Sequence, residues 1–126
     1  MGVAYQWRRA VTNPQKAKGS GWERALVDYL ALHRIEATRI PAGATNDRGD
    51  LFVPIIEWPS IDAKNYSSYA GQLGGWVDRA EEQATNAGRR FGIVWLKRRG
   101  KANPANGYVV MSGKAFIALM AMIGDK

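Results

Sequence analysis

Three residues of the stretch RIPAGATNDRGDLFVPIIEWPSIDAKN (39–65) have types and spacing suited to joint chemistry: Asp50, Asp62 and Lys64. Side chains alternate across a strand, so Asp62 and Lys64 share one face while Ile61 and Ala63 take the other. In a hairpin turning near Glu57–Ser60, Asp50 falls roughly opposite Lys64. A two-residue offset keeps Asp50 on that face and brings it toward Asp62; a one-residue slip or a bulge undoes the arrangement. Two carboxylates converging beside an ammonium repel each other and are costly to bury. A divalent cation resolves that conflict. Mg²⁺ takes hard oxygen ligands, commonly one or two carboxylates, and keeps its other positions for water and substrate phosphate. The ammonium then orients or deprotonates a water, or stabilises the charge that develops on phosphorus. The chemistry such a trio suits is metal-assisted hydrolysis of a phosphate ester.

The elements that must position these residues are legible in the periodicity. Trp22, Ala25, Leu26, Tyr29 and Leu30 recur at helical spacing, so SGWERALVDYLALHRI reads as an amphipathic helix capped by Ser20. EATRIP is a short strand ending at proline, and AGATNDRG is a loop. The 50–65 hairpin follows, with Leu51, Phe52, Val53, Ile55 and Ile56 in one buried arm and Ile61 in the other. Residues 69–88 read as a second helix, weak at Gly74-Gly75 and ended by Gly88. RFGIVWLK is a buried strand, RRGKANPANG a basic turn, YVVMSG a last strand and KAFIALMAMI a last helix, apolar nearly all round. The order α-β-β-β-α-β-β-α predicts an α/β fold, a mixed sheet flanked by helices, built as one domain over 1–126.

The totals narrow the function classes. The chain has 126 residues, no cysteine and a net charge of +7, with pI near 10. Thiolate metal sites and disulfides are excluded. No run of about 18 apolar residues offers a membrane span, and the first residues lack the apolar stretch of a signal peptide. These features fit the cytoplasm of a prokaryotic or phage-infected cell. The positive excess points to a polyanion, most often nucleic acid. Residues 1–19, with Arg8, Arg9, Lys16 and Lys18, no acid, and breakers at Pro14 and Gly19-Ser20-Gly21, read as a mobile basic arm. Lys97, Arg98, Arg99 and Lys101 cluster in the turn between the last two strands. Arg8, Arg9, Lys16, Lys18, Arg39 and this cluster are the candidate phosphate contacts.

Plainer readings exist for each feature. A D-x-K on a strand is commonly a solvated pair worth under about 1 kcal/mol. Asp50 after Gly49 suits a turn. Ser20 and Glu23 have the spacing of a capping box. His33 reads as a helix-surface residue, and the five tryptophans read as core, Trp7 in the basic arm being the least clear.

Taken in order, the pieces resemble the PD-(D/E)xK nuclease superfamily, and more closely its Holliday junction resolvase-like branch. The resemblance runs from residue 16 to about residue 100. KAKGSGWERALVDYL is similar to the family's opening helix with its acid, here Glu23; TRIPAG to the strand that follows; Gly49-Asp50 to the P-D element; IDAK to (D/E)-x-K. Two departures stand out: glycine replaces the usual proline at 49, and Asp62 is one methylene shorter than the commoner glutamate. The resemblance implies a restriction-endonuclease-like fold and a metal-dependent endodeoxyribonuclease. It implies that Asp50 and Asp62 bind Mg²⁺ (Mn²⁺ substituting), that the Ala63 carbonyl is a third ligand, that Glu23 reaches the metal through water and that Lys64 attends the attacking water. An auxiliary glutamine is expected from the following helix, either Gln72 or Gln83. The implied substrate is branched DNA such as a four-way junction, and the implied assembly a homodimer, for which the apolar last helix is a candidate interface and capping of the sheet the alternative. Two competing readings remain at this point: a restriction- or repair-type nuclease on duplex ends or flaps, and a basic nucleic-acid-binding module without catalysis.

Overall fold

The computed structural model describes residues 14–41, 43 and 46–125. Its elements follow the expected order: α1 (Pro14–Leu32), β1 (Thr38–Arg39), β2 (Leu51–Phe52), β3 (Ser60–Lys64), α2 (Leu73–Ala87), β4 (Gly92–Leu96), β5 (Tyr108–Val110) and α3 (Gly113–Gly124), with a 3₁₀ turn at Pro104–Asn106 before β5. Among the described residues the strands form one mixed sheet in the order β1-β2-β3-β4-β5. β3 and β4 are parallel; the other neighbours are antiparallel. The parallel pair needs a crossover, and α2 supplies it.

Alternation along β3 and β4 divides the core. Ile61, Ala63, Ile93 and Trp95 point to α1, where Trp22, Leu26 and Leu30 meet them. Val94 and Leu96 point to α2 and pack on Ala80, Trp76 and Val77. Trp22 donates its indole N–H to the Trp95 carbonyl (2.9 Å), and Trp95 donates to the Pro104 carbonyl (3.3 Å). Both buried donors are thereby satisfied. α3 sets Ala115 and Met122 into the α1-side cluster but leaves Phe116, Ile117, Met120 and Ile123 exposed. The last helix therefore both caps the core and presents an apolar outer face.

Several boundaries differ from the sequence reading: β1 and β5 are shorter than EATRIP and YVVMSG, and four further differences bear on the site or the core. α1 begins at Pro14 rather than Ser20, so Lys16 and Lys18 belong to a helix and not to an arm, and Ser20 is interior and caps nothing. Proline is tolerated in a first helical turn, where its missing N–H would have no partner. Gly19 and Gly21 are carried by tertiary bonds: Gln15 Nε2 donates to the Asn65 carbonyl (3.0 Å), and Asn65 Nδ2 donates to the Lys18 carbonyl (3.3 Å). Arg8 and Arg9, the rest of the expected arm, lie outside the described residues. The 50–65 hairpin is not a buried two-arm ladder, because β2 ends at Phe52 and Pro54 and Pro59 interrupt the strand. Ile55 and Ile56 are exposed, and Arg89 instead gathers the loop by donating to the carbonyls of Val53, Ile55 and Trp58 while lying over the Phe52 ring. The second helix starts at Leu73, with Gly74 and Gly75 in its first turn, and ends at Gly88, whose φ of 70° is the left-handed cap. The buried strand is shorter at both ends than RFGIVWLK, running Gly92–Leu96.

Close approach of α2 to the sheet fixes one position. A Cβ on Gly92 would stand 2.0 Å from the Ala80 carbonyl oxygen. Gly92→Ala is therefore expected to push α2 off β4 and destabilise the protein by about 3 kcal/mol or more. Urea-unfolding midpoints compare the two chains; equal midpoints would contradict this packing.

Candidate active site

β2 stops where the site begins. Leu51 pairs with Ile61, so Asp50 stands across from Asp62 rather than Lys64, as the two-residue offset requires. The Asp50 amide still donates to the Ile61 carbonyl (2.8 Å), and the Asp50 carbonyl accepts from the Ile40 amide (2.8 Å). The next rung is different: the Ala63 amide donates to the Asp50 carboxylate, 2.7 Å to Oδ2. A side chain replaces main chain at the end of the ladder, which locks the Asp50 carboxylate onto β3 beside Asp62.

Gly49 makes this turn possible. Its φ is 102°, and a Cβ there would stand 2.7 Å from Ser60 Oγ and 2.9 Å from the Ile61 carbonyl oxygen. Proline, with φ fixed near −65°, cannot take this backbone. The glycine is thus required by this entry into β2.

Asp62 is 2% exposed, and its Oδ2 has no hydrogen-bond partner among the described residues. Lys64 Nζ stands 3.5 Å from that oxygen and 5.5 Å from the centre of the Trp76 ring. Burial, and then the neighbouring Asp62 carboxyl, push the Asp50 pKa up to about 7; the Ala63 amide and Lys64 pull against this without prevailing. Asp62 is also raised, by burial, with Asp50 and Lys64 opposing. Two carboxyls that cannot both ionise comfortably, one with an unpartnered buried oxygen, form a donor set that a hard cation satisfies. The residues present fit a divalent metal on that ground.

An open cleft of about 770 Å³ lies over this pair. Glu23, Asp50, Asp62, Ala63, Lys64, Gln83 and Lys16 all line it. Glu23 approaches from α1 and is held by Arg39, Nε to Oε1 at 3.0 Å. Its pKa is raised by burial; the Arg39 bond lowers it in part, and the Asp50 charge raises it. Arg39 is therefore engaged with Glu23 and lines an adjoining cleft of about 680 Å³ on the other side of Asp50. Of the two glutamines, Gln83 is buried in the cleft wall, with Oε1 unpartnered among the described residues. Gln72 is exposed just before α2 and does not line the cleft. The basic turn starts beside the site, since the Lys97 amide donates to the Lys64 carbonyl (2.9 Å). Arg98 lies over the Tyr108 ring, and Arg99 and Lys101 are exposed. Lys18 faces solvent away from the cleft lining.

Sequence reasoning missed Asp47. Its Oδ1 accepts from the Gly49 amide, and its Oδ2 accepts from Arg79 and from Gln83 Nε2. Asn86 Nδ2 donates to its carbonyl. Burial raises its pKa, but the bonds from Gln83, Gly49 and Arg79 outweigh this and hold it below the usual value. Asp47 thus ties the loop ahead of Asp50 to α2. The available signal was an Asx-turn residue two before a glycine, together with polar residues at 79, 83 and 86 on one stripe of α2.

Set against protein-family models, curated proteins and solved structures, the chain matches none. No helix among the described residues is long and apolar enough to cross a membrane. The class defined by fold and site is an α/β protein with paired carboxylates and a lysine in an open cleft.

The raised pKa values make stability depend on pH in the metal-free protein. An Asp50 carboxyl at about 7 when folded, against 3.8 unfolded, binds more protons in the folded state between those values. Its stabilising contribution is full below about 3.8 and is lost as pH rises through about 7. Asp50→Asn keeps an acceptor for the Ala63 amide and removes the charge. It is expected to be more stable than the parent at pH 8 in EDTA, by at most about 4 kcal/mol, with the difference shrinking by pH 5. Urea titrations at the two pH values check this; a parent that gains stability from pH 5 to 8 more steeply than the variant would contradict it.

Proposed function

We propose that this protein is a Mg²⁺-dependent DNA endonuclease of the PD-(D/E)xK type with a restriction-endonuclease-like core, acting in the cytoplasm on branched DNA as a Holliday junction resolvase. The observation that carries the reading is the Asp50–Asp62 pair held side by side, Asp62 buried and with an oxygen that accepts no hydrogen bond among the described residues, with Lys64 Nζ 3.5 Å away in an open cleft of a chain with net charge +7. A solvated surface pair, the plainer reading of D-x-K, does not suit an aspartate that is 2% exposed.

Asp50, Asp62 and the Ala63 carbonyl would hold Mg²⁺ (or Mn²⁺), with Glu23 in the outer sphere; when bound, the ion supplies an activated water and neutralises the scissile phosphate. The chain's own groups do the rest. Lys64 brings three N–H donors to the place where charge develops on phosphorus, and Asp62 at 3.5 Å keeps it there. Ala63 holds the Asp50 carboxylate by its amide. Gln83, anchored through Nε2 to Asp47, has its Oε1 left to accept a hydrogen bond from a water in the cleft. The turn at Lys97–Lys101, leaving from the Lys64 end of the sheet, supplies positive charge to a phosphate track, and Arg8 and Arg9 add to it from the N-terminal segment. Symmetric cutting of a junction calls for two copies, and the exposed Phe116, Ile117, Met120 and Ile123 of α3 are the surface best suited to pairing.

Three outcomes follow. Lys64→Ala lowers the single-turnover cleavage rate by roughly 10²–10³, as for loss of one preorganised donor, and leaves binding nearly unchanged. Weakened binding with normal turnover would make Lys64 an ordinary phosphate contact. Asp50→Asn gives no detectable Mg²⁺-dependent cleavage while keeping DNA affinity, and wild-type rates would refute the site. Replacing Arg99 and Lys101 together by alanine flattens the slope of log affinity against log salt by up to about 2, and an unchanged slope removes the turn from the DNA track. A panel of junction, flap and linear duplex, each with and without Mg²⁺, tests the reading as a whole: cleavage of the junction and not of the linear duplex is expected, and no cleavage of any member would overturn it.

A further inference from the structure

One wall of the cleft is aromatic, and the proposed chemistry leaves it unused. Tyr66 follows β3 by two residues and Trp76 sits in the first turns of α2; both line the cleft with Asp62 and Lys64. Their ring centres are 5.0 Å apart, with planes tilted by 43°. Lys64 Nζ is 5.5 Å from the Trp76 ring centre, so the platform begins within one nucleotide of the candidate phosphate position. Trp76 differs from the two tryptophans that anchor the core. Trp22 and Trp95 are buried and donate to main-chain carbonyls. Trp76 is half-buried, rests one side on the α2-side core, and has no hydrogen-bond partner for its indole N–H among the described residues. Gly75, beside it on the cleft lip, leaves open space where a Cβ would stand.

We propose that Tyr66 and Trp76 form a stacking platform for one unpaired nucleobase, next to the phosphate held at Asp50, Asp62 and Lys64. This rests on the nuclease reading for the position of the phosphate, and it names what the site selects. Inside an intact duplex every base face is covered by its neighbours. A ring wall this close to the backbone position is met by a base face only where a base has left the stack, as when a base pair beside a branch point parts. Stacking on an aromatic side chain accepts any base, so the platform reads pairing state and not sequence. The ammonium over the indole fits the same arrangement, since cation and base occupy adjacent parts of one aromatic surface. The discrimination between branched and linear DNA thereby lies in the cleft of a single chain.

The test uses the full chain with Ca²⁺ in place of Mg²⁺, so that binding is read without cleavage. The probes are a duplex with a short unpaired flap, its intact counterpart, and the flap strand with 2-aminopurine at successive positions around the branch. In the parent protein, 2-aminopurine at one position beside the branch is quenched on binding, and the flap DNA binds more tightly than the intact duplex. Trp76→Leu keeps an apolar side chain against the core and is expected to reduce that preference by roughly 5- to 150-fold, the range for loss of one base stack. It should also abolish the quenching, and Trp76→Phe should retain part of both. Quenching at no position in the parent overturns the proposal without any variant having to fold. So does a Trp76→Leu protein that loses affinity for flap and duplex equally. Failure of the nuclease reading is separate: no Mg²⁺-dependent cleavage of any DNA, with quenching and preference intact, leaves the platform standing on a binding protein.

Discussion

Asp50 and Asp62 are held side by side because the β2–β3 ladder ends in a side chain. Where a further main-chain carbonyl would accept the Ala63 N–H, the Asp50 carboxylate does so at 2.7 Å. That bond fixes one carboxylate against a strand whose next inward position carries the other. The remaining features are consequences or supports. Gly49 must adopt φ of 102° for the chain to enter β2 there. Asp47 must bind the Gly49 amide and reach α2 so that the loop does not relax. β4 must cover β3 from the far side so that Asp62 is buried. Two crowded carboxyls are relieved by a proton or a cation, so the geometry that raises the Asp50 pKa is also one that would suit a hard cation.

Much of the fold was legible because it is written in period and punctuation. The eight elements came out in the right order from helical spacing around Trp22–Leu30, β-branched runs such as Gly92–Leu96, and breakers at Pro41, Gly88 and Gly100. What propensity could not show was where distant residues override it. Gly19 and Gly21 weaken a helix by local rules, yet Gln15 and Asn65 hold one together from 50 positions apart. Ile55 and Ile56 look like strand core, yet two prolines and the Arg89 clamp make them a loop. The face shared by Asp62 and Lys64 followed from alternation alone, but whether Asp50 joins it, and which residue it stands opposite, depended on a register that the Leu51–Ile61 pair settles. Asp47 escaped notice because its partners, Arg79, Gln83 and Asn86, lie 32, 36 and 39 residues away.

Trp76 shows why a residue can be read correctly by type and still incompletely. An aromatic at helical spacing with Leu73, Val77 and Ala80 is a core residue on its sheet side, and it does pack there. The same ring also meets the cleft, where Lys64 Nζ stands 5.5 Å and the Tyr66 ring 5.0 Å from its centre. Large aromatic side chains at the edge of a core are suited to this because their area is divisible in a way a leucine's is not.

Charge in this molecule is arranged on two length scales. The chain as a whole carries +7, yet four of its eleven acids, Glu23, Asp47, Asp50 and Asp62, line one cleft. At distances beyond roughly 8 Å in physiological salt the screened excess governs, and it draws a polyanion in. Inside the cleft the local carboxylates govern, and they repel the same phosphate. Arg39 and Arg79 are spent on Glu23 and Asp47, so they offset two of the four charges without leaving a surplus for substrate. Lys64 faces the remaining pair, its Nζ 3.5 Å from Asp62 Oδ2. On the proposed reading, a phosphate would settle at Asp50 and Asp62 only together with a counter-charge, so cation and polyanion would bind in mutual dependence. On the proposed nuclease reading, the basic surface would hold nucleic acid without metal only at a distance from the carboxylates, so that binding and hydrolysis would be separable by the ion alone.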